Sequence, residues 1–187
     1  MSWFQATPTA SLELLDALGV SPQSAVIDVG GGASLLVDHL LERGFDDVSV
    51  LDVSEVALRS ARSRLTSSAP VTWVRDDVLT WRPQRGFDLW HDRAVFHFLT
   101  DAVDRLTYLR TMRRALRPCG TVIVGTFASD GPDHCSGLPV ARYSSEELAD
   151  AIGPEFDIVA VRREVHTTPT GAVQPFSWLA GRLRCGR

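Results

Sequence analysis

Val26-Ile27-Asp28-Val29-Gly30-Gly31-Gly32-Ala33-Ser34 is an apolar run that ends in an acid and three glycines and opens at once into Leu35-Leu36-Val37-Asp38-His39-Leu40-Leu41. It reads as a buried strand turning sharply into a helix, because glycine accepts positive φ and lets a ligand approach the backbone closely. The helix turns its free N–H groups and positive dipole end toward that turn, which suits a ligand of negative or carboxylate character. Taken alone, a triple glycine after a strand is also readable as a plain tight turn.

The next acid narrows the reading. Val48-Ser49-Val50-Leu51-Asp52 is a second short apolar strand, and Asp52 follows Asp28 by the interval with which a βαβ unit brings a carboxylate beside a bound ribose. Such a carboxylate accepts hydrogen bonds from both ribose hydroxyls, in NAD and in S-adenosylmethionine alike. A third element has to separate the two.

Around these strands the chain alternates. Leu12, Leu15 and Leu18 mark an amphipathic helix from Pro8 to Leu18 that Gly19 ends, and ahead of it Trp3 and Phe4 read either as a hydrophobic staple or as a lid over the ligand. Ser54 caps a helix running to about Leu65. Val71-Thr72-Trp73-Val74 and Phe87-Asp88-Leu89-Trp90-His91 are strands three and four, leading into Arg75-Asp76-Asp77 and Asp92-Arg93 at the carboxyl edge where open parallel sheets bind ligands. A helix from about Asp101 to Leu116, a turn at Pro118-Cys119-Gly120 and a strand from Thr121 to Phe127 follow. The run from Ala128 to Tyr143 is too long for a plain connection and reads as functional. Ser144-Ser145-Glu146-Glu147 opens a helix to about Ile152, and Phe156 to His166 and Val173 to Leu183 form a closing antiparallel pair, with His166 and Gln174 expected in solvent.

With 187 residues, 44% of them hydrophobic, and no linker composition, residues 1–187 are expected to form one domain. A net charge of −4 without a basic run points to neither nucleic acid nor an anionic membrane, and leaves a small-molecule acceptor as partner, with the chain a monomer or homodimer. All 19 basic side chains are arginine, which excludes Schiff-base lysine chemistry and suggests a GC-rich, bacterial source. Cys119, Cys135 and Cys185 are odd in number and show no metal-ligand spacing, so neither a disulfide framework nor a metal site is expected. The first residues lack a leader pattern and no run approaches the roughly 18 apolar residues of a membrane span, which points to a soluble cytoplasmic protein.

Seven strands alternating with helices and closed by an antiparallel hairpin resemble the class I S-adenosylmethionine-dependent methyltransferases. The resemblance implies an α/β fold of three layers, Rossmann-like, with a seven-stranded sheet in the order 3-2-1-4-5-7-6 and strand 7 antiparallel. It makes Asp28, Gly30, Gly31, Gly32 and Ser34 the first cofactor motif, with Ser34 where the family usually has a further glycine. Asp52 with Val53 becomes the ribose element, and Asp76-Asp77-Val78 the adenine element that decides against NAD. Trp90 to Leu99, Cys135 to Tyr143 and Gly171 to Phe176 are similar to a subgroup of small bacterial methyltransferases, itself similar in its first half to protein-lysine methyltransferases of the methyltransferase-like group.

Methyl transfer from a sulfonium needs alignment, exclusion of water, and a base only where the acceptor carries a proton. His91 and Asp92, where the resemblance places the acceptor, are the first catalytic candidates; His91, also beside the cofactor, is a base, an acceptor-orienting donor or a cap of the next helix. His97 is a pocket group or a core histidine. Trp3, Phe4, Arg93, Cys135, Arg142 and Tyr143 are the candidate acceptor walls. Three functions stay open: methylation of a small thiol, hydroxyl, amine or metalloid acceptor; protein-lysine methylation; and cofactor binding without turnover.

Overall fold

The computed structural model describes residues 5–168 and 171–185, so the Trp3 and Phe4 wall lies outside them. Helix α1 (Thr9–Leu18) buries Leu12, Leu14, Leu15 and Leu18 and ends on Gly19, whose left-handed φ of 67° returns its N–H to Asp16. Strand β1 (Val26–Val29) is wholly buried and leads through the glycine turn into α2 (Leu36–Glu42). Strand β2 (Val48–Asp52) is followed by α3 (Glu55–Arg64), where the Ser54 hydroxyl accepts the Ala57 N–H. Strands β3 (Val71–Arg75) and β4 (Phe87–Arg93) precede a 3-10 turn at Phe96–Phe98 and α4 (Ala102–Ala115). Strand β5 (Leu116–Phe127), α5 (Ser145–Ile152) and the pair β6 (Phe156–Thr167) and β7 (Val173–Leu183) complete the main sheet.

The sheet order is β3-β2-β1-β4-β5-β7-β6, with β1 to β5 parallel and β7 antiparallel to both β5 and β6. Each face carries its own apolar layer. Trp90, Phe96, Tyr108, Leu148 and Ile152 pack with α4 and α5 on one face; Leu14, Leu15, Leu40, Phe127, Phe176 and Trp178 pack with α1 and α2 on the other. Alternation along β4 therefore sends Trp90 and Asp92 under α4, and His91 and Arg93 toward the α1 face.

Two sequence expectations fail in the sheet. Cys119 and Cys185 are joined in a disulfide, their Cα atoms 4.8 Å apart. The expected turn at Pro118-Cys119-Gly120 is instead a bulge inside β5, where pairing shifts register between Phe87 and Leu89 of β4 and Cys119 takes a φ of 62°. Pairing of Thr121 with Arg182 then brings the end of β7 alongside. Counting three cysteines could not reveal this, because the pairing is set by a strand register 66 residues apart. A cross-link over that separation restricts the unfolded chain by about 4 kcal/mol, so reduction should lower the melting temperature by about 10 °C. Thiol titration of the denatured, unreduced chain should find only Cys135; three reactive thiols would remove the link.

Candidate active site

A cavity of about 500 Å³ runs along the carboxyl edge of β1 to β4, a size typical of a single small-ligand site. Its floor is the glycine turn. Gly30 has a φ of 71°, and a Cβ there would lie 2.2 Å from Val95 Cγ2. A Cβ on Gly31 would lie 2.1 Å from Asp28 Oδ2, and one on Gly32 2.6 Å from Asp52 Oδ2. The turn is therefore a cradle in which two carboxylates press directly on glycine backbone.

Across the sheet edge from β3 to β4, the polar groups change sign. At β3, Asp76 Oδ1 accepts the Asp77 N–H at 2.8 Å and Asp77 Oδ1 accepts the Leu79 N–H at 2.9 Å. Both acids line the cavity with the apolar Val53, Val78, Leu79, Val95 and Leu99. At β2, Asp52 accepts the Gly32 N–H through Oδ2 at 3.0 Å and the Ser54 N–H through Oδ1 at 2.8 Å. At β1, Asp28 Oδ2 is buried and has no hydrogen-bond partner among the described residues. At β4 the lining turns to Arg93, Ala94 and Phe98, joined by Cys135 and Ser136 from the long 128–143 segment. The Arg93 guanidinium lies 5.2 Å from the Phe176 ring centroid. Burial lowers its pKa from the ordinary arginine value, opposed by the charges of Glu164, Asp28 and Cys135. Burial likewise raises the Cys135 thiol.

Of the residues nominated from sequence, Asp28, Gly30, Gly31, Ser34, Asp52, Val53, Asp76, Asp77, Val78, Arg93 and Cys135 line this cavity, and Gly32 sits just beneath through its bond to Asp52. Three catalytic candidates do not. His91 pairs in register with Asp28 and is 1% exposed, with Nδ1 2.7 Å from Asp28 Oδ1 and Nε2 2.9 Å from Ser11 Oγ, which leaves neither ring nitrogen for an acceptor. Asp92 accepts N–H groups from Val95 and Phe96 and the Tyr108 hydroxyl at 2.5 Å, so it caps the 3-10 turn from within the core. Burial raises its pKa to about 6. His97 is enclosed by Phe98 and Phe127, its Nδ1 accepting the Phe127 N–H at 3.4 Å. Burial, then the Arg93 charge, lowers its pKa to about 3.

Two wall candidates also fall away. Arg142 donates to the Gly131 carbonyl, and Tyr143 packs in the core beside Phe96, their ring centroids 5.6 Å apart. His166 and Gln174 are buried on the α1 face rather than solvated, because the hairpin turns them in beside Phe176. Ser136, Phe98 and Ser11 were missed. Ser136 adjoins the nominated Cys135, whereas nothing in the sequence marks Ser11 apart from other serines on an amphipathic helix.

Residues 26–120 match the model of a methyltransferase domain. Over 171 residues the chain is 32% identical to thiocyanate methyltransferase 1 of Arabidopsis thaliana, a match that spans 89% of this chain and 72% of that protein. Its fold matches a Burkholderia thailandensis 1,6-didemethyltoxoflavin-N1-methyltransferase solved with bound 1,6-didemethyltoxoflavin and S-adenosylhomocysteine, at a TM-score of 0.75 and 23% identity, covering 95% of this chain and 77% of that one. It also matches the N-methyltransferase NodS from Bradyrhizobium japonicum WM9 with S-adenosylhomocysteine, at a TM-score of 0.72 and 17% identity, covering 96% and 89%.

Proposed function

The chain belongs to the methyltransferase-domain family and uses S-adenosylmethionine, and from that premise we propose that it methylates a small sulfur anion held at the Arg93 end of the cavity. The cradle suits the donor. Asp77 is available to the adenine amino group, the remaining lone pairs of Asp52 to the ribose hydroxyls, and the unpartnered Asp28 Oδ2 to the methionyl ammonium. When bound, the donor supplies a methyl group made electrophilic by the sulfonium charge.

The observation that carries the acceptor reading is a guanidinium in the wall beside which no nominated base stands. His91, Asp92 and His97 all have their polar atoms turned into the core, so an acceptor that must lose a proton finds none of them in reach. An acceptor that arrives as an anion needs no base. Arg93, resting on the Phe176 ring and poorly hydrated, attracts such an anion strongly in a low-dielectric wall. The likeness to a thiocyanate methyltransferase supports the same acceptor chemistry. A peptide lysine is the weaker reading, since Arg93 at that end repels an ammonium.

Turnover should therefore be highest with thiocyanate, bisulfide or small thiolates when these are compared with aliphatic amines, aromatic amines and phenols, reading S-adenosylhomocysteine release and the methylated product. Arg93→Gln should raise the acceptor KM about tenfold while donor affinity changes much less. Turnover of amines with none of the sulfur anions would overturn the assignment.

A further inference from the structure

The geometry points to Ser11 and His91 as positioning residues that aim the Asp28 carboxylate at the ammonium of the donor's methionyl arm. The inference rests on the proposed role of Asp28 and is independent of the acceptor. The three side chains form one buried line from α1 through β4 to β1: Ser11 Oγ is 2.9 Å from His91 Nε2, and His91 Nδ1 is 2.7 Å from Asp28 Oδ1. Ser11, His91 and Asp28 are each 1% exposed.

The line has a direction. A carboxylate only accepts hydrogen bonds, so Nδ1 donates to Oδ1 and Nε2 is left to accept from the Ser11 hydroxyl. That fixes the ring tautomer, and the ring in turn fixes the carboxylate rotation, because Oδ1 is tied to β4 while Oδ2 has no partner among the described residues. Trp178 packs near the His91 ring, their centroids 6.3 Å apart, and limits its movement. A Cβ on Gly31 would lie 2.1 Å from Oδ2, so that oxygen sits immediately against the glycine turn, in a residue that lines the cavity. A buried carboxylate oxygen with an unused lone pair at a cavity wall is suited to an ammonium. Without the His91 bond, Asp28 is free to rotate, which removes the charge-assisted contact.

The arrangement resembles a nucleophilic serine triad in its order, but Ser11 does not line the cavity, and its hydroxyl acts only inward. The role therefore concerns donor binding and predicts a selective defect. S-Adenosylhomocysteine carries the ammonium; 5′-methylthioadenosine keeps the adenosine and sulfur and lacks it. Calorimetric titration of the purified full chain with both ligands separates an effect on the ammonium-bearing amino-acid arm from a general loss of structure.

His91→Phe should weaken S-adenosylhomocysteine by about 10- to 100-fold, the range for losing a hydrogen bond to a charged group, while 5′-methylthioadenosine changes less than twofold. His91→Asn, whose amide can donate in place of Nδ1–H, should restore most of the affinity. Ser11→Ala should give a smaller loss of the same selectivity, and it carries the test if His91→Phe does not fold. Asp28→Asn isolates the premise: if it is selective and both the His91 and Ser11 variants are not, Asp28 keeps its role and the positioning line falls. Equal weakening of both ligands in the His91 and Ser11 variants, or no weakening at all, overturns the inference.

Discussion

Asp52→Ala should bind S-adenosylhomocysteine about 10²- to 10⁴-fold more weakly than the parent chain while remaining folded. The estimate follows from two ribose hydrogen bonds to a carboxylate, each worth about 1.5–3 kcal/mol. Asp52 also accepts the Gly32 and Ser54 N–H groups, so the same substitution loosens the floor of the cradle. Gly30→Val provides a second route to the same loss. It places a β-branched residue at a φ of 71°, and its Cβ would meet Val95 Cγ2 at 2.2 Å. Because Val95 itself lines the cavity, relief of that clash pushes a wall inward. Equilibrium binding with circular dichroism as the fold control reads both variants. Affinity within threefold of the parent in a folded Asp52→Ala protein would show that the ribose does not sit at β2.

The residues that line the cavity along β1 to β3 are legible in the sequence because they are local to strand ends. Asp28 and Asp52 lie at the ends of apolar runs and Asp77 two residues beyond β3, and a parallel sheet collects such ends on one edge. The lining at β4 is not legible in the same way, because it depends on which face of β4 each residue takes. His91 and Arg93 share a face, yet His91 lies beside Asp28 deep under α1 while Arg93, at the end of the strand, reaches the cavity. Asp92 between them goes to the opposite layer, where Tyr108 of α4 meets it. No local spacing encodes how far α1 covers the strand. The partner of His91 is Ser11, 80 residues away. The disulfide escaped for the same reason, since the bulge at Cys119 and the strand end that carries Cys185 come together only once β5 is paired.

Asp92→Asn and His97→Phe should have acid stabilities that diverge in opposite directions, by roughly 5 kcal/mol at pH 4 relative to pH 7. Both parent groups are buried, and their folded pKa values lie on opposite sides of the unfolded ones. His97 stays neutral in the fold down to about 3, whereas the unfolded chain takes up its proton near the ordinary histidine value of about 6.5. Its stabilising contribution is present above that value and is lost as pH falls, by about 3 kcal/mol at pH 4. Asp92 protonates in the fold at about 6, before the unfolded chain does at about 3.9. Its contribution is fully present below the unfolded value and is lost as pH rises through about 6, so acidification from pH 7 to 4 returns about 2 kcal/mol. In the parent chain the two nearly offset each other. Removing the Asp92 carboxyl exposes the histidine loss, and Asp92→Asn becomes acid-labile. Removing the His97 ring, where Phe fits among Phe98 and Phe127, exposes the aspartate gain. Surface acids contribute to all three proteins alike, so urea midpoints at pH 7, 5.5 and 4 compared between variants isolate the two groups. Parallel pH profiles for the three proteins would show that neither buried group titrates as its surroundings require.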